Sequence, residues 1–261
     1  MYDTNNRLDT RRAVELLVAL LRKEVAVRYK QSLVGPLWAF IQPLILMTLF
    51  VMINGFVKMD AGPAPYPVVV YTALLPWTFF ATSMNFATGS IVGNAAIIRK
   101  VRCPRAAFPL AAVLACQVDF LIGLPFLFAL LAFYGIGTSW QLAWLPALLA
   151  IQLLLVYGLA LLTSAVSAYQ RDLLIGMPYL LQFWMFASPV MYRSESVPDR
   201  WRTLYELNPL AGIIEAYRSI LVHGVSPVGP SLTVATGVSV VVFAAGALVF
   251  ARLQPRFADV A

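Results

Sequence analysis

The sequence predicts an all-α membrane protein of six transmembrane helices with both ends in the cytoplasm, and three observations lead there. Of its 261 residues 61% are apolar and 12% charged, against about 45–50% and about 25% for an average soluble domain, which excludes a soluble globule. Uncharged runs cover residues 31–57, 61–98, 120–170, 173–192 and 225–251, where one membrane helix takes about 20 residues. Finally, 14 of the 19 Lys and Arg fall on one side of the spans so drawn, and that side is the cytoplasm by the positive-inside rule. The runs are continuous, whereas a transmembrane β-barrel would alternate apolar and polar residues over segments of about ten. The length suits a single domain, 1–261.

Residues 1–34 form a basic cytoplasmic arm. Within it, 11–30 places Val14, Leu17, Val18, Leu21 and Val25 on one helical face and Arg11, Arg12, Glu15, Arg22, Lys23 and Lys30 on the opposite arc. Such a helix lies in the membrane interface, either as an anchor for anionic lipid or as a docking surface for a partner. No cleaved signal is expected, because no short apolar core follows a basic start. The net charge of +7 would suit nucleic acid, but its placement beside the spans argues for a membrane flank instead.

The first span is drawn over Gly35–Val57, followed by a Pro- and Gly-rich loop. The second is 68–92, leading into a basic cytoplasmic loop at 99–105. The run at 120–170 must hold two spans when extended backward past Asp119. Gly135 to Ser139 supplies the break, giving a third span at 108–134 and a fourth at 142–168. A polar turn at 169–172 precedes the fifth span, 173–192, and the sixth is 232–251. Between the last two, 193–230 carries outer-side helices. Asn208 and Pro209 combine an N-cap with proline at the first helical position, Gly224 closes the helix, and Leu210, Ile213, Ile214, Tyr217 and Leu221 form its apolar stripe. At about 15 residues it is too short to cross, so it dips in from outside or lies on the surface. Residues 198–207 suggest a second such helix before it.

Catalytic raw material is scarce. The one histidine, His223, is read as a helix cap, and it leaves no stock for a His-based metal cluster or a Ser-His-Asp triad. No stretch fits G-x-x-x-x-G-K-[ST], so no phosphate-cradling loop is expected, and no cofactor. Asp119 is the one ionisable group well inside a span by these boundaries and is expected to pair with neighbouring polar groups, or to sit near an interface with the boundary displaced, rather than to act in transport. Cys103 and Cys116 fall about 20 Å apart on one helix and cannot pair with each other. The acids Asp60, Glu195, Asp199, Glu206 and Glu215 are spread over two outer loops, mostly near Arg or Lys. Aromatic rings, by contrast, are plentiful in the first, second and fifth spans.

The order and spacing of several short motifs resemble the permease family of bacterial ABC transporters that export polysaccharides such as O-antigen, capsule and teichoic acid. Arg28-Tyr29-Lys30 leads into Ser32-Leu33-Val34-Gly35-Pro36-Leu37-Trp38 and Gln42-Pro43-Leu44. Leu75-Pro76-Trp77 with Phe79-Phe80 resembles the second span. Lys100, Pro104 and Arg105 resemble a K-x-x-x-P-R segment, with Pro109-Leu110 after it. Arg171-Asp172, Phe183-Trp184, Ser188-Pro189-Val190-Met191-Tyr192, Asn208-Pro209-Leu210 and Tyr217-Arg218 complete a pattern that covers nearly the whole chain. Cys103 departs from it, where many members have an aromatic residue.

The resemblance implies a homodimer in a bacterial inner membrane, two copies of a separate cytoplasmic ATPase that binds the ATP, and a lipid-linked polysaccharide substrate, most of all O-antigen. It implies that Arg11, Arg12, Arg22, Arg99, Lys100, Arg102, Pro104 and Arg105 meet the ATPase. It also implies that the paired outer helices, with Asn208, Pro209, Tyr217 and Arg218, gate the exit, and that the first and fifth spans line the conduit.

Elementary physics supports a sugar conduit separately. A polymer longer than the membrane must slide past contacts favourable enough to admit it and weak enough to release it. Aromatic faces pack on the C–H faces of sugars, and Tyr and Trp add replaceable hydrogen bonds. Trp38, Trp77, Phe80, Tyr179, Phe183, Trp184 and Tyr192 are the expected lining rings. Two alternatives stand beside this reading: a permease of the same superfamily for drugs or lipids, and a membrane enzyme acting on lipid-linked sugars, which should gather Asp, Glu or His at one interface.

Overall fold

Apolar runs build the helices of this protein, and proline or glycine ends most of them. The computed structural model describes residues 3–30, 34–58, 62–100 and 103–257, with side chains from residue 13 onward. Along them run α1 (Asp3–Tyr29), α2 (Trp38–Val57), α3 (Tyr66–Thr88), α4 (Ser90–Gly93), α5 (Ala95–Lys100), α6 (Ala107–Phe133), α7 (Leu145–Tyr169), α8 (Asp172–Phe186), α9 (Asp199–Glu206), α10 (Pro209–Leu221) and α11 (Pro230–Leu253). Five segments among the described residues are long and apolar enough to cross a membrane: Gly35–Val57, Tyr66–Thr88, Ala107–Phe133, Trp140–Tyr169 and Pro230–Arg256. They overlie the first, second, third, fourth and sixth expected spans.

The fifth expected span, 173–192, is corrected. Its helix α8 has 15 residues, about 22 Å at 1.5 Å per residue, short of a hydrocarbon core of about 30 Å. Pro189 explains the stop. Proline has no N–H to continue the ladder and turns the preceding Ser188 away from helical geometry, and the Val190 N–H closes a tight turn onto Ser188 O at 2.7 Å. The second span also ends early, at Thr88 rather than Val92, because Gly89 caps α3. The chain then makes the short helices α4 and α5, so Arg99 and Lys100 finish a helix instead of opening a loop. Val101 and Arg102 lie outside the described residues.

Helix α3 is the post of the bundle, touching α2, α6, α7, α8 and α10. Tyr71, Leu74, Phe80 and Met84 on it are fully enclosed. Helices α7 and α11 cross at glycines: a Cβ on Gly246 would lie 2.1 Å from Gly158 O, so the two backbones meet directly. Small residues at a crossing admit this close approach, which is how helices associate where lipid gives no hydrophobic drive.

A second apolar cluster gathers Leu20 of α1, Ile98 of α5, Ala107 and Phe108 of α6, Ala168 of α7, and Phe250 and Phe257 at the end of the chain. The start of α6 and the ends of α7 and α11 therefore share one end of the bundle. The Tyr169 hydroxyl donates to Leu253 O at 3.0 Å across it.

Helix α1 leaves its expected apolar face only partly covered by the bundle. Val14 and Val18 are exposed, and Leu20, absent from the expected stripe, is buried. Leu20 packs at the shared end, and Arg28, eight residues and about 12 Å further on, reaches Asp119 in the middle of α6. Its last turns run beside α6.

Candidate functional site

Helix α8 presents an unpaired aromatic face. Tyr179 and Phe183 are 71% and 76% exposed, and Ile175, Leu180 and Phe186 are exposed with them. On α2 the exposed apolar residues include Trp38, Ile45, Leu49, Met52 and Phe56, spaced by seven, four, three and four residues and so on one stripe. Beside α8 opens an apolar cleft of about 680 Å³ bordered by Phe80, Met84, Phe183, Trp184, Trp201 and Tyr205 among others.

The seven expected lining rings divide. Trp38, Tyr179 and Phe183 are exposed. Trp77 is corrected: it is 4% exposed and packs 5.5 Å from Phe80 inside the core, because its side of α3 is covered by other helices. Phe80 has no exposed surface either, although it forms the floor of the cleft. Trp184 stands edge-on to Phe80 at 5.1 Å and donates its indole N–H to Asn208 Oδ1 at 3.1 Å. Tyr192 is half-buried, its hydroxyl donating to Phe186 O at 3.1 Å and its ring 6.3 Å from Tyr205.

Asn208 is a hub. Its Oδ1 accepts the Leu210 N–H as a helix cap, and its Nδ2 donates to Ala187 O and Ser188 Oγ, each at 3.0 Å. Pro209 fills the first position of α10, where a missing N–H costs nothing. The expected stripe of α10 is buried, with Tyr217 and Arg218 as well. The Tyr217 hydroxyl donates to Gln152 Oε1 at 2.9 Å, and Gln152 Nε2 donates in turn to Pro76 O, joining α10, α7 and α3.

Arg218 donates to the carbonyls of Val69, Val190 and Tyr192 and pairs with Glu215 at 3.0 Å. Burial pushes its guanidinium below the ordinary value, and the Glu215 carboxylate opposes that. Tyr217 and Arg218 thus anchor α10 to α3, α7 and the turn before α9. Helix α9, by contrast, buries none of its residues. The outer acids find cations as expected: Arg193 for Glu195, Arg202 for Asp199 and Glu206, and Arg218 for Glu215. Asp60 lies outside the described residues. The His223 side chain is exposed, and only its backbone N–H caps, onto Arg218 O at 3.1 Å.

At the shared end, Arg22, Arg99, Lys100 and Pro104 are exposed and Arg105 is half-buried. The side chains of Arg11 and Arg12, and all of Arg102, lie outside the described residues. Lys23 donates to Asn94 Oδ1 at 2.5 Å, tying α1 to the α4–α5 turn.

Deeper in, Asp119 has the partners the sequence did not name. Arg28 donates to it at 2.7 Å, the Tyr29 hydroxyl donates to its other oxygen, and Arg28 also reaches Cys116 Sγ at 2.8 Å while lying 4.0 Å over the Phe86 ring. An acid inside a span demands a countercharge, and that demand was the available signal. Both cysteines are free.

Comparison with known proteins adds a family. Residues 15–222 match the family model described as ABC-2 type transporter. The chain is 31% identical over 250 residues to an O-antigen export system permease protein RfbA of Klebsiella pneumoniae, covering 94% of this chain and 95% of that protein. It is 29% identical over 246 residues to a protein of the same name from Myxococcus xanthus, 94% of each chain. It is also 24% identical over 220 residues to the polysialic acid transport protein KpsM of Escherichia coli, 82% of this chain and 84% of that one.

Proposed function

This chain belongs to the ABC-2 type transporter family, and on that premise we propose that it is the membrane-spanning permease of a bacterial inner-membrane polysaccharide exporter, its cargo lipid-linked O-antigen. It is a transport subunit, and a separate ATPase supplies the energy. Two copies face each other across α2 and α8, and the exposed rings Trp38, Tyr179 and Phe183 line the seam through which the glycan passes, with Trp184 and Tyr192 supporting them.

The observation that carries this reading is α8. It is too short to be an ordinary span, keeps an aromatic face uncovered by its own bundle, and stands beside an apolar cleft. Ring faces bind a passing sugar weakly and release it, which suits a polymer that must keep moving. The end of the bundle that carries Arg22, Arg99, Lys100 and Arg105 is the cytoplasmic one, where the ATPase pushes. Lys23 on Asn94 and Arg28 on Asp119 relay that push from α1 into α4 and α6. On the outer side α10 is a fixed post, and the uncovered α9 is the leaf of the gate, hinged at Asn208.

Export of surface polysaccharide, measured in a strain lacking the chain and complemented with variants, tests this. With both Tyr179→Ala and Phe183→Ala, each ring being worth about 1 kcal/mol of contact, export should fall about thirtyfold, while copurification with the ATPase stays as in the unaltered protein. Undiminished export would overturn the assignment, and export of a small drug in place of the glycan would favour the drug-permease reading.

A further inference from the structure

We infer that the cavity enclosed by the end of α1, the start of α2, and the facing parts of α3 and α6 is a subsite for a single neutral sugar ring of the cargo, an inference that rests on the polysaccharide reading above. The cavity holds about 250 Å³ and is lined by Arg28, Tyr29, Trp38, Gln42, Thr82 and Asp119 among others. Pockets for drug-sized ligands measure about 300–1,000 Å³, so this space suits a small group such as one ring. Of the rings assigned to the conduit it shares only Trp38.

Its charge selects the ligand class. Arg28 and Asp119 already neutralise each other at 2.7 Å. An anion entering would meet the Asp119 carboxylate, and a cation would meet the Arg28 guanidinium. A neutral polyol, with donors and acceptors on adjacent carbons, meets neither penalty.

Hydrogen-bonding capacity is left over for it. A carboxylate offers about four acceptor sites, and Asp119, with two donors on it, keeps 23% of its side chain exposed. The Thr82 hydroxyl gives its proton to Thr78 O and so retains acceptor capacity. Gln42 is exposed and brings two donors and an acceptor. Trp38, 51% exposed, supplies a flat apolar face at the rim.

Flat ring, amide and paired charges together recognise a sugar's C–H face and its hydroxyls at once. In the absence of sugar, water satisfies the same groups, so exchange is close to neutral and binding is weak. Weak binding at the inner mouth lets a subsite position the leading or following residue of a chain without arresting it.

The test uses the full-length protein copurified with its ATPase in nanodiscs. Saturation-transfer NMR is recorded with methyl α-D-glucopyranoside, methyl α-D-mannopyranoside and, as the anionic comparison, glycerol 1-phosphate. The expected result is transfer to the ring protons of a neutral glycoside, reduced about fivefold in Trp38→Ala and in Gln42→Ala and unchanged in Phe133→Ala, whose side chain is exposed elsewhere on α6. Absence of transfer to both glycosides, transfer to glycerol 1-phosphate instead, or equal transfer in Trp38→Ala and Gln42→Ala would overturn the subsite. Export in cells separates this from the parent reading. If Gln42→Ala exports normally while the Tyr179, Phe183 double variant does not, the subsite alone fails. If the chain neither binds an ATPase nor exports glycan, the parent reading fails.

Discussion

Helices α2 and α3 are neighbours of similar length, yet over an apolar stretch of 18 residues in each, 11% of the segment containing α2 is buried within the bundle against 78% for α3. The more buried one is the more polar. Thr72, Ser83 and Thr88 of α3 have no exposed surface, while the outer stripe of α2 is Trp38, Ile45, Leu49, Met52 and Phe56. In water the apolar helix would sit inside. In lipid the solvent is itself apolar, so packing and hydrogen bonding decide what is central, and greasy faces are left for lipid or for a second subunit. Helix α8 belongs with α2. The difference separates a scaffold, whose residues hold each other, from a surface that the rest of the chain leaves uncovered.

Substitutions should therefore divide by region. The largest effect belongs to the ion pair that fastens α1 to α6. Asp119→Leu strands Arg28 without a countercharge and should cost about 3–5 kcal/mol, seen as a lower thermal midpoint in detergent, and adding Arg28→Met should recover most of it. Next is the crossing of α7 with α11: Gly246→Val drives a side chain into the Gly158 backbone and should cost about 3 kcal/mol by the same measurement. Tyr217→Phe leaves Gln152 Oε1 with one donor fewer and should cost about 1–2 kcal/mol. The smallest effect on stability is expected at Phe183→Ala, within about 0.5 kcal/mol, although export should suffer. A Phe183→Ala protein as unstable as the Asp119 variant would erase the distinction between scaffold and surface.

Much of this was legible in the residues. Uncharged runs located five long helices, because length and continuity in lipid are simple constraints. Asn208 and Pro209 marked the start of α10 through cap chemistry, which is local. The fifth span was overdrawn because the run 173–192 carries no charge, and Pro189 was outweighed by hydropathy although it removes a backbone donor. Trp77 was misplaced for a different reason. A ring inside a span reads the same whether it faces a conduit, lipid or core, since in a membrane all three are apolar environments. The partners of Asp119 lay hidden because Arg28 is 91 residues away in sequence, and only the tertiary path of α1 joins them. Tyr217 and Arg218 were visible as a motif, but their roles as anchors depend on Gln152, Val69 and Val190, which no local pattern connects.

The central claim is that α2 and α8 face a second copy of the same chain. Cysteine crosslinking in membranes tests it most directly, in a Cys103→Ser, Cys116→Ala background with single cysteines at Met52, Phe183 or, on the exposed side of α11, Val241. Crosslinked dimers at Met52→Cys and Phe183→Cys with none at Val241→Cys are the predicted result. A dimer captured through Val241→Cys alone would contradict it.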